Sequence, residues 1–478
     1  MENIMQTEWI ALLPFMLLAG GGILIFSLGA LWTPRAPAVF FGPAILASIG
    51  AGIASAFIRS GPLPTTHLLN SDGFCRYYIV LFAVITTITL LISWRYTERR
   101  NFGGDEFPGI VLFAALGMML ISSAAHWLIF FLGLELFSIS LYILIAMRRG
   151  NSLATEAAVK YFILGAVASS FLVFGISMVY AATGTLSLQQ SLDIAAHPDS
   201  RYILLLGLGF VLVGIGFKVS LVPFHLWTPD VYQGTPAPVT AFLATGSKVA
   251  LYSLLVRLAL YSPESITTVF FPFLWAAAAL TMAVGNITAL VQDSVKRLLA
   301  YSSIAQMGYL LMALLAVEHG GAAAVIFYSG VYAVSDLGAF GTLGLLSLRK
   351  DDRDRLDDFR GLGYSQPGNA ALFALSLFSL AGLPATAGFI GKFVIFQAAF
   401  ADNLVILGLI GITTAIISIY YYLKVVVVLY MRAGANGGGQ SVEKQGGAAL
   451  IAGLVVALVI FWFGLLPSSI LNIITGIV

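Results

Sequence analysis

What most constrains the fold of this chain is a succession of apolar runs, each long enough to cross a bilayer. A helix rises about 1.5 Å per residue, so about 20 apolar residues span the hydrocarbon core. Along the 478 residues, roughly fourteen such runs follow one another. They lie near 9–31, 38–58, 74–94, 107–125, 127–147, 157–182, 202–228, 238–260, 268–291, 297–317, 322–348, 369–400, 404–431 and 448–474. The gaps between them are short and leave no room for a sizeable soluble domain. Only 10% of the residues are charged, against about 25% in soluble domains. The expectation is an all-α polytopic membrane protein of about 14 transmembrane helices.

Several function classes are excluded or weakened. Cys75 is the single cysteine, so there is no disulfide framework, no paired-cysteine redox motif and no cysteine-ligated iron–sulfur cluster. The histidines (His67, His126, His197, His225, His319) stand far apart, without metal-ligand spacing. Neither a dinucleotide fingerprint nor a phosphate-binding loop occurs. Net charge is +2, which gives no electrostatic case for nucleic acid. The chain is expected to hold no metal and no cofactor of its own. MENIMQTEWIALLPF has no Lys or Arg ahead of its apolar run, so the first run reads as a retained helix rather than a cleaved signal.

Fifteen Lys and Arg fall in loops after odd-numbered runs, against four (Arg59, Arg76, Arg201, Arg257) after even-numbered ones. Cytoplasmic loops carry the positive excess. The odd side is therefore expected to be cytoplasmic, with both termini periplasmic.

Runs seven and twelve are interrupted, at SLVPFHLWTPD near Pro223 and at LAGLPATAGFIGK near Pro384. Proline removes a backbone donor and clashes one turn back. Such breaks are tolerated at membrane depth where protein or a watery cavity satisfies the freed carbonyls. Two broken helices five runs apart suggest two inverted repeats, helices 4–8 and 9–13, a transporter design. The division is then 1–104 (three helices), 105–265 and 266–432 (the repeats), and 433–478 (a loop and the last helix). The small-residue stretch GGGILIFSLGA is a candidate face for neighbouring subunits or lipid.

Five lysines lie inside apolar runs: Lys160, Lys218, Lys248, Lys392 and Lys424. A charge at the bilayer centre costs about 2.5–3.5 kcal/mol on insertion scales. The bland explanation is snorkelling, which suits Lys424 and also Lys160, whose neighbour one turn earlier is Glu156. Glu135 sits mid-helix and is too short to snorkel. Lys248 is near mid-span, and Lys218 and Lys392 lie beside the breaks. For these four a static structural ion pair is the alternative to a functional role. Burial favours a neutral amine and a nearby carboxylate favours the charged one. A Glu135–Lys218 pair that opens and closes would release and reload a proton, with Lys248 and Lys392 continuing the line. His225 is a candidate relay, or a satisfied histidine at a helix break. Asp230 reads as a cap or a group at the outer mouth. Asp293 and Asp336 are lesser candidates, the latter inside helix 11 with a neighbouring cation as its partner.

KVSLVPFHLWTPDVYQGTPAPVTAFLATGSKVA (218–250), VKRLLAYSSIAQMGY (295–309) and SLAGLPATAGFIGKF (379–393) resemble the signatures of the antiporter-like membrane subunits of respiratory complex I. The similarity runs over essentially the whole chain. Among the three antiporter-like classes it is closest to the N class of bacterial NADH-quinone oxidoreductase: Lys248 stands where the L and M classes usually carry a histidine-bearing motif, and Lys392 where M carries a glutamate. The absence of a C-terminal lateral helix argues against L.

The resemblance implies fourteen helices with two inverted five-helix repeats, each with one broken helix. It implies a proton path through Glu135, Lys160, Lys218, Lys248 and Lys392, driven by NADH oxidation and quinone reduction in other subunits. NADH, flavin, iron–sulfur clusters and quinone would then belong to those partners. The chain would contact the antiporter-like M subunit, small membrane subunits and lipid, in the bacterial inner membrane. Two other readings stand beside it: a subunit of a multi-subunit cation/proton antiporter, which shares the fold, and a structural membrane scaffold.

Overall fold

The structure is a computed structural model that describes residues 2–31, 37–58, 67–100, 104–148, 150–193, 198–347, 353–432 and 447–477. Among the described residues it is helical throughout, and β-pairing is confined to isolated bridges such as His126 with Ser187. The loop cations Arg35, Arg59, Arg149, Arg349, Lys350 and Lys444, as well as His197, lie outside the described residues, as does the 433–446 loop.

The helices run α1 (Glu2–Leu31), α2 (Ala38–Ser55), α3 (Gly73–Arg100), α4 (Phe107–Ser123), α5 (Trp127–Ala146), α6 (Ser152–Thr183), α7 (Arg201–Lys218) and α8 (Trp227–Gly234). Then come α9 (Ala237–Tyr261), α10 (Glu264–Leu290), α11 (Val295–Leu315), α12 (Gly321–Leu346), α13 (Leu362–Ser365), α14 (Pro367–Ala381), α15 (Ala387–Ala401), α16 (Val405–Met431), α17 (Gly447–Leu465) and α18 (Pro467–Thr475). Twelve of these are long and apolar enough to cross a membrane. The remaining two expected spans are the 17-residue α4 and the interrupted pair α14 and α15. Run seven is likewise split, into α7 and α8. Run fourteen differs from expectation: Pro467 takes the first turn of a separate nine-residue helix, α18, where its missing N–H costs nothing.

Local chemistry sets the ends. Asn151 Oδ1 accepts from Ala154 N at 3.0 Å to start α6, and Gly184 at φ +70° ends it. Ser294 accepts from Arg297 N at 3.1 Å to start α11. Close helix contacts rest on glycine: a Cβ on Gly175 of α6 would lie 2.6 Å from Gly207 O of α7. The GGGILIFSLGA stretch is used the same way, inside the chain. Gly21 faces Ala47 of α2 and Gly22 faces Phe113 of α4, while Gly20 faces open space and Ile23 and Leu24 are exposed.

Burial grades from centre to rim. The membrane spans of α9, α12 and α11 are 100%, 94% and 89% buried, while those of α6, α10 and α17 fall to 28%, 22% and 22%. A helix wrapped by protein on every side can carry polar groups toward other protein rather than lipid. The chemistry of this chain is concentrated on the three central helices and the two broken ones.

Candidate functional site

The first break is built by its own backbone. Past Lys218, Ser220 adopts φ +66°, its N–H reaches Phe217 O at 3.1 Å and Leu221 N reaches Gly216 O at 2.8 Å. This is the paired bonding of a helix that ends in a left-handed residue. The chain then passes a cis Val222–Pro223 peptide and resumes as α8. Freed groups are taken up by side chains: Trp227 Nε1 donates to Phe217 O at 2.9 Å, and Val222 N donates to Thr281 Oγ1 at 3.0 Å. Lys218 is the last residue of α7, 2% exposed.

The second break repeats the device. Gly382 stands at φ +81°, Leu383 N reaches Phe378 O at 3.0 Å and Gly382 N reaches Ser379 O at 3.0 Å. Gly388 opens α15 so close to α14 that a Cβ there would meet Ser379 O at 1.6 Å. Here the freed carbonyls face a cation. Lys392 Nζ donates to Leu380 O at 2.9 Å and to Ala381 O at 3.0 Å. The C-terminal end of α14 carries partial negative charge, which suits an ammonium group. Gln306 Nε2 also reaches Leu380 O, at 3.2 Å.

Between the breaks lies Lys248 on α9, with no exposure. Its Nζ donates to Ser303 Oγ of α11 and sits 5.5 Å from the Tyr232 ring centroid. Ser303 Oγ and Tyr332 OH of α12 are 2.6 Å apart. Tyr332 OH is in turn within bonding distance of Ala244 O at 3.0 Å and of Asp336 Oδ2 at 3.2 Å. Toward Lys392 the polar groups continue on α11. Ser302 bonds Tyr422 OH, Gln306 Nε2 lies 3.3 Å from the same hydroxyl, and Gln306 meets the carbonyl that Lys392 holds. One helix thus offers a hydroxyl to Lys248 and an amide to the second break.

Toward Lys218 the connection changes character. Lys218 Nζ donates to Ser138 Oγ at 2.8 Å and Tyr142 OH at 3.3 Å, and lies 5.6 Å from the Tyr142 and Tyr161 ring centroids. Tyr161 stacks on Trp227, and Trp227 meets Tyr232 edge-on. An aromatic run carries the contact from Lys218 to Lys248.

The direct Glu135–Lys218 ion pair is not formed. Glu135 Oε1 accepts instead from Ser169 Oγ of α6 at 2.6 Å, and Lys218 turns to hydroxyls three and seven residues further along α5. The two charges remain near enough to interact. Short hydroxyl contacts replace the pair because Lys218, ending α7, reaches α5 past Glu135 rather than beside it.

Other sequence candidates are placed elsewhere. Lys160 is 40% exposed in its side chain and pairs with Glu156 at 2.7 Å and Asp230 at 2.9 Å. Asp230 also binds Arg297 Nη1 at 2.7 Å. Asp230 therefore bridges two cations, Lys160 and Arg297, rather than capping α8. Asp293 is exposed in the loop after α10, away from the buried line. Lys424 is half-buried on α16. His225 is 8% exposed in the first break, and its Nδ1 has no hydrogen-bond partner among the described residues.

Two cations counted as loop charges are instead buried inside helices. Lys296 is 3% exposed and donates to Thr235 O at 2.9 Å, taking up a carbonyl at the end of α8. Arg257 lies inside α9, 4% exposed, and binds Asp72 Oδ1 at 2.9 Å. Their positions at the edge of apolar runs concealed this. Among the described residues no group of three or more His, Cys, Asp or Glu is placed to hold a metal.

A family model described as NADH:quinone oxidoreductase/Mrp antiporter, TM, matches residues 124–418. The chain is 45% identical over 411 residues, 86% of each sequence, to NADH-quinone oxidoreductase subunit N 1 of Solidesulfovibrio magneticus. Against a chain of respiratory complex I from Thermus thermophilus with bound aureothin it superposes with a TM-score of 0.77 at 33% identity, covering 96% of this chain and 98% of that one. A chain of the Mrp complex from Dietzia sp. DQ12-45-1b gives a TM-score of 0.84 at 18% identity, over 98% and 96% of the two chains, a likeness of fold alone.

Proposed function

The chain belongs to the NADH:quinone oxidoreductase/Mrp antiporter transmembrane family, and we propose that its buried lysines carry protons for a redox-driven pump. It is the proton-translocating membrane subunit, of the N class, of an NADH-quinone oxidoreductase. The single observation that carries the path is the placement of Lys218, Lys248 and Lys392. All three are buried, two of them at helix breaks, and each is held by hydroxyls or backbone carbonyls rather than by a carboxylate. An ammonium held by neutral acceptors keeps its proton less firmly than one in a direct ion pair, so it is suited to give the proton up.

Glu135 is the switch at one end. It is close enough to bias Lys218 without bonding it, so a small shift of α5 closes or opens the pair. His225 and Lys160 are placed for proton entrance rather than for the line itself: Lys160 is partly exposed beside Asp230, and His225 has an unpartnered ring nitrogen in the break. Two inverted repeats, within 105–265 and 266–432, are supported by matching helix contacts. α4 packs on α5 and α9 as α10 packs on α11 and α16, and α6 packs on α7 and α8 as α12 packs on α14 and α15.

NADH, flavin, iron–sulfur clusters and quinone are placed in partner subunits of the same complex, and the apolar outer faces of α5 and α6 are assigned to the M-class and small membrane subunits or to lipid. Leu132 and Ile139, on the α5 face around Glu135, are 50% and 52% exposed. The bacterial inner membrane is assigned from the bacterial relatives, and the periplasmic placement of both termini from the charge bias of the loops.

The cation/proton antiporter reading rests on shared fold and is the less supported of the two. Membrane vesicles bearing the assembled complex separate them. NADH with a quinone acceptor is expected to drive lumenal acidification, and a Na⁺ gradient without NADH is expected to drive none. Acidification by the Na⁺ gradient alone would reverse the assignment.

A further inference from the structure

Asp336 is fully buried in α12, one turn after Tyr332, and among the described residues no group bonds its Oδ1. A carboxyl in the middle of a wrapped helix, with one oxygen unserved, is costly unless something charged or titrating balances it. The nearest cation along its bonds is Lys248. The connection runs from Lys248 Nζ to Ser303 Oγ, from Ser303 Oγ to Tyr332 OH at 2.6 Å, and from Tyr332 OH to Asp336 Oδ2 at 3.2 Å. Those residues come from α9, α11 and α12, the three most buried spans.

We infer that Asp336 is the proton-exchange partner of Lys248, receiving its proton through the hydroxyls of Ser303 and Tyr332. This rests on the proposed proton path. In the forward step one Nζ–H bond breaks and a Ser303 O–H bond forms. The original Ser303 hydrogen passes to the Tyr332 oxygen, and the original Tyr332 hydrogen passes to Asp336 Oδ2. Three bonds to hydrogen break and three form. Lys248 becomes a neutral amine, Asp336 a neutral acid, and both hydroxyls are regenerated. The reverse shift restores the ion pair.

The arrangement has a physical logic. Both end states, ammonium with carboxylate and amine with acid, have zero net charge. Lys248 therefore changes its charge without leaving a lone charge in the low-dielectric centre, where an unpaired ion is strongly disfavoured. Tyr332 has a single proton and two acceptors, Ala244 O and Asp336 Oδ2. Turning its hydroxyl toward Ala244 interrupts the relay, and turning it toward Asp336 completes it. Among the described residues no such carboxyl bonds Lys392, which rests on two backbone carbonyls.

The test compares Asp336→Asn, Tyr332→Phe and Lys218→Ala with the parent in membrane vesicles. Each complex is normalised for assembly, and the readout is protons taken up per NADH oxidised. Asparagine has the shape of aspartate and still accepts from Tyr332, and phenylalanine removes only a hydroxyl. A merely structural role predicts that both are tolerated. The inference predicts that each lowers the proton yield at least about tenfold, within the range of positioned proton-transfer groups. It also predicts that the double variant falls no further than the single ones. Normal yields in Asp336→Asn and Tyr332→Phe with Lys218→Ala inactive overturn this inference alone. A normal yield in Lys218→Ala overturns the proton-path reading itself. If Asp336→Asn fails to assemble, Tyr332→Phe decides: lost yield supports the relay, and full yield removes it.

Discussion

Lys392 Nζ bonds Leu380 O at 2.9 Å across the break that separates α14 from α15. The lysine thus serves the backbone that the interruption releases, together with Ala381 O at 3.0 Å. Removing it with Lys392→Met leaves buried carbonyls short of a charged donor, worth about 1.5–3 kcal/mol. The purified complex is expected to lose thermal stability accordingly. Lys392→Arg keeps a permanent positive charge. It is expected to assemble and to pump far less, because a guanidinium does not give up its proton. Pumping at the parent's level in Lys392→Arg would contradict the carrier role.

Glu135 acts at a distance in this structure, and Ser138 acts by contact. Ser138→Ala removes the hydroxyl 2.8 Å from Lys218 and leaves Tyr142 OH at 3.3 Å. One hydrogen bond to a charged group is worth about 1.5–3 kcal/mol, so a loss of roughly tenfold in proton yield is expected. Glu135→Gln removes the charge that biases Lys218 and is expected to lose more. Measuring both in vesicles checks the order; the reverse order would make the hydroxyl, not the carboxylate, the controlling group.

Lys160 is partly exposed and its pairs with Glu156 and Asp230 are screened by solvent. Lys160→Ala is expected to leave thermal stability unchanged. Any loss of proton uptake should then be larger at low proton supply than at high supply, as befits an entrance group. An unfolding defect in this variant would assign Lys160 a structural role instead.

Asp72 and Arg257 give the fold an acid-sensitive tie on the far side from Asp230. Burial alone would raise the Asp72 carboxyl, but the bond and charge of Arg257 outweigh it and hold the group below its ordinary value. A depressed carboxylate stabilises above its unfolded value, about 3.9, and this contribution is lost as pH falls through the lower folded value. The thermal midpoint of the parent is expected to drop in that acid window. Asp72→Asn should be less stable at neutral pH and lack that part of the acid loss. Identical acid profiles would show that the pair contributes nothing.

Much of this architecture was legible because lipid imposes a simple rule on sequence. Apolar runs of fixed length set the spans, and Pro223 and Pro384 set the breaks. Lys218, Lys248 and Lys392 stood out because a cation in an apolar run is costly. What escaped was tertiary. Ser303, Tyr332, Gln306 and Tyr422 are ordinary residues of apolar helices, and only packing of α11 against α9, α12 and α16 turns them into a polar chain. Lys296 and Arg257 looked like loop charges because they lie at the ends of apolar runs. The Glu135–Lys218 pair was expected from charge alone, yet the reach of α7 delivers Lys218 to Ser138. Pro467 was read inside a continuous last run, although proline favours the start of a new helix.

The most direct test of the account is NADH-driven proton uptake in inverted membrane vesicles, comparing the parent with Lys218→Ala at equal assembly of the complex. Uptake is expected to fall sharply while the complex stays assembled. Normal uptake in the assembled Lys218→Ala complex would contradict it and leave Lys218 a structural charge.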